Sequence, residues 1–382
     1  MRGAAGALAV VAVCAVAIAP AAPARAASPR WTVVPTAAGA AYGTLAAVSC
    51  PAPTACVAVG TQDSSGSGVK LIQRWNGTKW VAQLSPTPSG ARSSSLSAVK
   101  CSSSAFCIAV GQYNTTTTTR TLALRWSAGR WSLLPTPNLS SAAVNVLSGL
   151  ACTSTTNCFA VGSSFTSNGT TGEQLTLIEQ WDGAHWSIVP SPNVTDAFDN
   201  GLVGAACASS TDCFAVGSAH FETHNDTLVE RWDGSAWSIV ASPNPPNSFD
   251  NELSGVTCPA ATVCTAVGSS DHGPLVERWD GTNWSLAPSK SPVGATGGAL
   301  VSISCPAVTR CTAAGVVFKS NQQQRLVEVF TPQGPAVVGV PVPSGTKRSS
   351  LSGVSCATPT NCFAVGDYHR GPSRRPLLLR YS

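Results

Sequence analysis

The sequence predicts an all-β fold, a seven-bladed β-propeller with four antiparallel strands in each blade. Three observations carry that reading. Fourteen cysteines fall into seven pairs with one spacing, a tryptophan pair recurs across a tight turn, and a strand missing from the last repeat stands at the start of the chain. Repetition at a period of about 50 residues points to propellers or solenoids before other architectures.

Residues 1–26 read as a signal peptide. Met1-Arg2 is followed by the small-apolar run Ala4 to Ala19 and by Ala24-Arg25-Ala26, an A-x-A cleavage signature. The run is short for a membrane span, and no later stretch is apolar enough for one. Cys14, the fifteenth cysteine, lies within the segment expected to be removed. Export would leave residues 27–382 as a single domain in an oxidising, extracellular compartment, where paired cysteines become disulfides.

The pairs are Cys50/Cys56, Cys101/Cys107, Cys152/Cys158, Cys207/Cys213, Cys258/Cys264, Cys305/Cys311 and Cys356/Cys362. Structural zinc sites use two to four residues between ligands and need four ligands converging. Five intervening residues at the end of a hairpin suit a bridge between neighbouring strands instead. Closing so short a loop stabilises the fold by about 2 kcal/mol per bridge on the chain-entropy account.

The repeat is stated most fully from Leu253 to Trp284. Strand one carries Leu-Ser-Gly-Val-x-Cys, strand two Cys-x-Ala-Val-Gly, strand three Leu-x-Glu-Arg-Trp and strand four Trp-Ser. Between strands three and four stand Asn76-Gly77, Asp182-Gly183, Asp233-Gly234 and Asp280-Gly281, a strong hairpin signal because glycine accepts positive φ. No segment of the mature chain sustains a helical period.

The two ends distinguish a closed ring from an open solenoid. The seventh repeat stops at Tyr381-Ser382, where a third strand ends, and Trp31-Thr-Val-Val-Pro35 matches the fourth strand Trp186-Ser-Ile-Val-Pro190. An N-terminal strand completing the last blade leaves no open edge. A closed ring of this kind is expected to be a monomer.

The tryptophans Trp75/Trp80, Trp126/Trp131, Trp181/Trp186, Trp232/Trp237 and Trp279/Trp284 keep one spacing, with Trp31 and Tyr381 as the pair of the split blade. Such regularity marks packing between blades rather than sugar-stacking platforms. Arg74, Arg125, Arg231, Arg278 and Arg380 recur likewise and read as structural contacts with those rings. The sixth repeat departs, with Phe330 and Val337 or Val338 expected in place of its tryptophans, and should be the loosest sector.

The repeated Cys-x5-Cys-x-Ala-Val-Gly with Arg-Trp-Asp-Gly-x-x-Trp resembles the secreted Cys/Trp-repeat β-propeller proteins common in actinobacteria, over the whole mature chain. Asp-Gly-x-x-Trp is loosely similar to the Asp-box of sialidase-type propellers, but lacks its full motif. The Trp-Asp at the end of strand three is similar to WD40 blades, without their Gly-His. The resemblance implies fold and export, and transfers no catalytic residue.

In such blades the turns from strand one to two and from three to four share one face. The other face takes the two-to-three connections and the linkers between blades, where sequence varies and recognition resides. Seven acidic residues gather there in blades four and five: Asp196, Asp199, Glu222, Asp226, Asp250, Glu252 and Asp271, joined by His220, His224 and His272. Lys319, Arg325, Lys347, Arg348, Arg370, Arg374 and Arg375 lie on blades six and seven, giving a charge-polarised face. Within the acidic sector Glu222, His224, Asp226, Asp271 and His272 are the candidate binding residues. Their carboxylates suit hydroxyls or calcium, and their imidazoles donate or ligate.

The net charge of +5 and the absence of interleaved basic and aromatic residues argue against nucleic acid as a partner. No Gly-x-Ser-x-Gly and no His-Glu-x-x-His is present. The expectation is a non-catalytic binding module for an extracellular glycan or protein, with calcium the one cofactor its residues suggest. A glycan-directed hydrolase or lyase is the alternative, and a structural envelope protein a second.

Overall fold

The computed structural model describes Gly3 and residues 29–40, 42–64, 67–167 and 172–382. The expected signal peptide, Cys14 included, lies outside these residues apart from Gly3. Among the described residues there are twenty-eight strands and no helix, grouped as seven four-stranded antiparallel blades. Single parallel backbone bridges, Val144 to Thr119, Gln174 to Asp199 and Asn225 to Asp250, join successive blades from the second to the fifth. Among the described residues no helix is long and apolar enough to cross a membrane.

Blade four shows the plan, with strands Asp199–Ser209, Asp212–His220, Asn225–Trp232 and Trp237–Ile239 in order from the channel outward. Its cysteines lie opposite each other, Cys207 against Cys213, and the bridge closes the first turn. The same bridge recurs in every blade, as Cys50–Cys56, Cys101–Cys107, Cys152–Cys158, Cys258–Cys264, Cys305–Cys311 and Cys356–Cys362.

The pairing is as the spacing predicts. The structure buries the second cysteine of each pair: Cys56, Cys107, Cys158, Cys213, Cys264, Cys311 and Cys362 are at most 7% exposed. Each belongs to a different one of the seven apolar clusters. The cause is strand two, which this cysteine begins and whose side chains are enclosed by the adjoining blades. These sulfurs are therefore structural staples out of reach of any ligand.

The glycine of Cys-x-Ala-Val-Gly has a steric cause. A Cβ on Gly217 would overlap the carbonyl oxygen of Gly201 on the inner strand, beside the register shift between Leu202 and Gly204.

The outer turns are set by a side chain. Asp233 Oδ1 accepts the backbone N–H groups of Ser235 and Ala236, and Asp182, Asp280 and Asn76 do the same in their blades. Gly234 follows with φ of 101°. These are Asx turns, which let a short polar residue start the hairpin that glycine completes. The same N–H donors hold the Asp233 carboxyl down to about 2.

The apolar core is not inside the blades but between them. Seven clusters of buried residues occur, and each draws from two adjoining blades. All eleven tryptophans contribute, none more than 7% exposed. The tryptophan pairs, and Trp31 with Tyr381, meet at 5.5 to 5.8 Å between ring centroids. Phe159, Phe214 and Phe363 pack onto the pair of the following blade. Arg74, Arg231 and Arg380 lie over a tryptophan of the next blade at 4.6 to 5.3 Å. The packing role expected of the tryptophans is what the structure contains, and Arg74, Arg231 and Arg380 make the ring contacts expected of the arginines.

Blade six differs from the expectation in detail. Phe330 does replace the first tryptophan, but the register puts Pro335, not Val337 or Val338, opposite it. A cavity of about 180 Å³ lies at the seam with blade five, bordered by Trp279, Arg278 and Phe330.

The chain ends meet as the repeat predicts. Trp31–Val33 pairs antiparallel with the last strand, Ser373–Tyr381, opposing Trp31 to Tyr381 and Val33 to Leu379. Val34 N donates to Leu378 O at 2.9 Å, and Ala37 N to the buried amide oxygen of Gln73 in blade one at 2.8 Å. Deleting residues 27–36 is therefore expected to lower Tm sharply and cause aggregation, with Trp31→Ala alone costing about 3 kcal/mol. A deletion variant that melts with the parent would contradict the clasp.

Candidate functional site

The two-to-three connections and the linkers do share one face. Backbone bonds from Arg92 N to Asn114 O, Phe198 N to His220 O and Lys347 N to His369 O tie the entries of blades two, four and seven to the end of the second strand of the same blade. The connections are not open loops as the sequence suggested. Most of their polar residues sit in strands that run past the packed core, as in Phe106–Asn114 and Thr119–Ser127. Antiparallel pairing satisfies their backbone, so polarity there reflects exposure rather than lack of structure.

The five candidate binding residues fall into two groups. Glu222 stands exposed at the tip of the blade-four hairpin. His224 Nε2 lies 3.5 Å from Asp226 Oδ2, and Asp226 Oδ1 accepts from Asn244 Nδ2 at 2.8 Å. One hairpin further on, Asp271 Oδ2 accepts the N–H groups of Phe249 and Asp250 at 2.6 and 3.3 Å, and His272 Nε2 lies 3.1 Å from Pro246 O. Asp226, Asp271 and His272 thus hold the linker between blades four and five in place. Among the described residues no three His, Cys, Asp or Glu side chains are arranged to hold a metal ion.

That linker and its predecessor each carry an exposed phenylalanine. Phe198 is 54% exposed and Phe249 66% exposed, large values for side chains of this size. Both are fixed by their backbone. Phe198 N donates to His220 O at 2.9 Å, on one side of the hairpin tip, and Phe249 O accepts from Asn225 N at 2.7 Å on the other. Between them the His224 imidazole stacks on Phe221, ring centroids 4.6 Å apart and planes within 5°. Three aromatic side chains and an imidazole therefore occupy the face over blades four and five, with exposed Glu222, Asp250 and Asp271 beside them. The sequence signal was the echo of Phe198-Asp-Asn200 in Phe249-Asp-Asn251, which on sequence alone reads as no more than a repeated turn. Asn200 and Asn251 do hold the turn, Asn200 Oδ1 accepting from Val194 N and Asn251 Nδ2 donating to Ser248 O, and the turn displays the ring.

The basic sector is partly committed to structure. Arg325 donates to Val340 O, and Arg375 lies over the Tyr42 ring at 5.6 Å. Arg374 pairs with buried Asp367 at 3.0 Å, and His369 stands 3.5 Å from the same carboxylate, which also accepts from Ser350. The acids and bases that a hydrolase or lyase would need are Glu222, His224, Asp226, Asp271, His272 and His369, and they are divided between blades four and five and blade seven.

The most perturbed acids lie elsewhere. Glu179, Glu230, Glu277 and Glu328 of the repeated strand three are all 0% exposed. Each of the last three accepts a hydroxyl from the preceding blade: Ser191 donates to Glu230, Ser242 to Glu277 and Ser289 to Glu328. Burial pushes Glu179 and Glu230 up to about 8 and Glu277 to about 7, the nearby hydroxyls moderating the rise. Glu328 is raised by the same cause. Neither carboxyl oxygen of Glu179 has a partner within hydrogen-bond distance among the described residues, and the nearby Thr121 hydroxyl, which moderates its rise, is directed to Thr136 and Pro137 O. Perturbed carboxyls often mark active sites, but these are sealed in the seams and reach no substrate.

No family model matches the chain, and no curated protein matches it. Solved structures do. The structure of U3-55K aligns over 92% of this chain and 98% of its own at 11% identity, with a TM-score of 0.59. The WD40 repeats of RRP9 align over 93% and 99%, at 12% identity and a TM-score of 0.58. The GH74 xyloglucanase of Xanthomonas campestris covers 91% of this chain at 11% identity and a TM-score of 0.53, but the match spans only 55% of the enzyme. The likeness is of fold. Propellers that serve as WD40 repeats and propellers that hydrolyse glycans both share it, so function rests on the residues.

The buried glutamates make stability depend on pH. A carboxyl raised from 4.5 to about 8 on folding is protonated in the folded chain and ionised in the unfolded one between those values. Its stabilisation is complete below pH 4.5 and is lost as pH rises towards 8, by up to about 5 kcal/mol for such a shift. Glu230→Gln removes the titration and keeps the acceptor for Ser191. Its Tm is expected to exceed the parent's at pH 8 and to match or fall below it at pH 5; parallel profiles would refute the assignment.

Proposed function

We propose that the chain is exported by cleavage of residues 1–26 and that residues 27–382 act as a monomeric, non-catalytic binding module for an extracellular carbohydrate. The ligand lies across the loop face of blades four and five. The observation that carries this reading is the pair of rigidly presented, exposed rings, Phe198 and Phe249, beside Glu222, His224, Asp226, Asp271 and His272. A sugar ring offers an apolar C–H face to an aromatic side chain and hydroxyls to carboxylates and imidazoles. The mixed cluster matches both halves of that surface. Seven disulfides accord with an oxidising destination. Immobile linkers favour binding, because little side-chain and backbone freedom is lost when the ligand arrives.

The test is a glycan array followed by titration of hits, with and without calcium. Phe198→Ala/Phe249→Ala and Glu222→Ala/Asp226→Ala/Asp271→Ala are each expected to weaken binding at least tenfold, while Asp212→Ala on the opposite face leaves it intact. Retention of affinity in both multiple variants, or no binding to any glycan, would overturn the proposal.

A further inference from the structure

The innermost strands of the seven blades enclose a central channel with two chambers. The wider one, about 460 Å³, opens on the loop face and is lined mostly by small residues such as Ala46, Ser97, Ser148 and Ser352, with Glu252 its one acidic residue. The other, about 210 Å³, lies behind the disulfide turns and is lined by the residues that precede the first cysteine of each blade. In register around the ring these are Ser49, Lys100, Ala151, Ala206, Thr257, Ser304 and Ser355. Position by position the set is small, so the single lysine stands out.

Lys100 is the one charged residue lining this chamber. Its side chain is solvent-exposed, and the channel walls near it remove part of the hydration of its ammonium. The desolvation that results holds its pKa below the usual lysine range. No acidic side chain among the described residues pairs with it. An ammonium in such surroundings, with no counter-charge, favours an anion more strongly than a lysine on the open surface does.

The neighbouring hydroxyls complete a donor arc. Ser304, Ser355 and Ser49 belong to blades six, seven and one, and Lys100 follows in blade two. Each serine Oγ accepts the N–H of a cysteine in the next blade: Ser304 from Cys356 at 3.0 Å, Ser355 from Cys50 at 2.9 Å and Ser49 from Cys101 at 2.9 Å. A hydroxyl that accepts in this way still has its own hydrogen to donate. None of the three donates to another described residue. The arc therefore joins a cation and three hydroxyl donors, and no carboxylate opposes them within the chamber.

We propose that this chamber of the channel is a binding site for a small oxyanion, held by the Lys100 ammonium and by the hydroxyls of Ser49, Ser304 and Ser355. The site is independent of the carbohydrate face. It is a carboxylate, phosphate or sulfate site by its donor chemistry, and the wider chamber is its entrance.

The chain has six lysines, few enough for each to be resolved after reductive methylation with ¹³C-formaldehyde. Phosphate and acetate are titrated separately into the full mature protein at ionic strength held constant with chloride, and the methyl signals are followed by NMR. The Lys100 signal, identified by its loss in Lys100→Met, is expected to shift saturably and to titrate at higher pH when the anion is bound. The other five should remain still. Saturation by phosphate alone assigns a tetrahedral site, and saturation by both anions assigns a general oxyanion site. Ser355→Ala is expected to weaken binding at least threefold while leaving Lys100 resolved. An unmoved Lys100 signal, or equal shifts at all six lysines, would overturn the proposal.

Discussion

Closure of the ring is the constraint on which everything else in this structure depends. Each blade is a thin sheet that cannot bury its own side chains, and all seven apolar clusters are shared between neighbours. Opening any seam would expose one of them. The chain itself crosses the seam from blade seven to blade one, between Val33 and Thr44, and the break in the backbone lies within blade seven, between its third and fourth strands. At the break Trp31–Val33 lies on Ser373–Tyr381, and at the seam Leu45, Trp75 and Trp80 pack with Phe363 and Leu378. The disulfides bond within one blade and lend a seam no more than the packing of a buried sulfur, so closure falls to the apolar clusters, the clasp strand and a few buried polar contacts.

Those polar contacts explain an apparent cost. Burying a carboxyl is unfavourable unless it is neutral or hydrogen-bonded, yet strand three buries glutamate in four successive blades. The donors come from the Pro-rich end of the preceding blade, so each Ser–Glu contact fixes the angle between two blades. Cation–aromatic contacts add to this: Arg231 at the seam of Ser242 and Glu277, and Arg74 and Arg380 at the seams between blades one and two and between seven and one. A rigid ring follows, and it is this rigidity that lets Phe198 and Phe249 be held out to solvent without collapsing onto the core.

What could be read from the sequence was whatever depends on near neighbours and repeats. Cysteine spacing gave the bridges, Asp-Gly gave the outer turns, and the match of Trp31 to Trp186 gave the clasp. What could not be read depends on a neighbouring blade. The burial of the second cysteines, Cys56 to Cys362, is one case, since the spacing shows which sulfurs join but not what covers them. Glu179, Glu230, Glu277 and Glu328 look like the exposed half of an alternating strand, because only the adjoining blade turns that face into an interior. Pro335 was misplaced because its repeat lacks the Asp-Gly landmark. At the candidate site, the shared face of Asp226, Asp271 and His272 was legible from topology, but not their backbone and amide partners in the linker. Phe198 and Phe249 were visible as an echo, and only the hydrogen bonds at His220 and Asn225 make that echo a platform. Lys100 stands out once the seven repeats are laid in register, which requires knowing that its position lines a channel.

Amide hydrogen exchange at the two ends of the chain tests closure most directly. If the clasp holds the ring, the amides that bond across it, those of Thr32, Val34 and Arg380, are protected as strongly as the hydrogen-bonded amides of the inner strand Asp199–Ser209, and all exchange together on global unfolding. Exchange of both terminal segments at the rate of frayed ends, with the inner strand still protected, would contradict it.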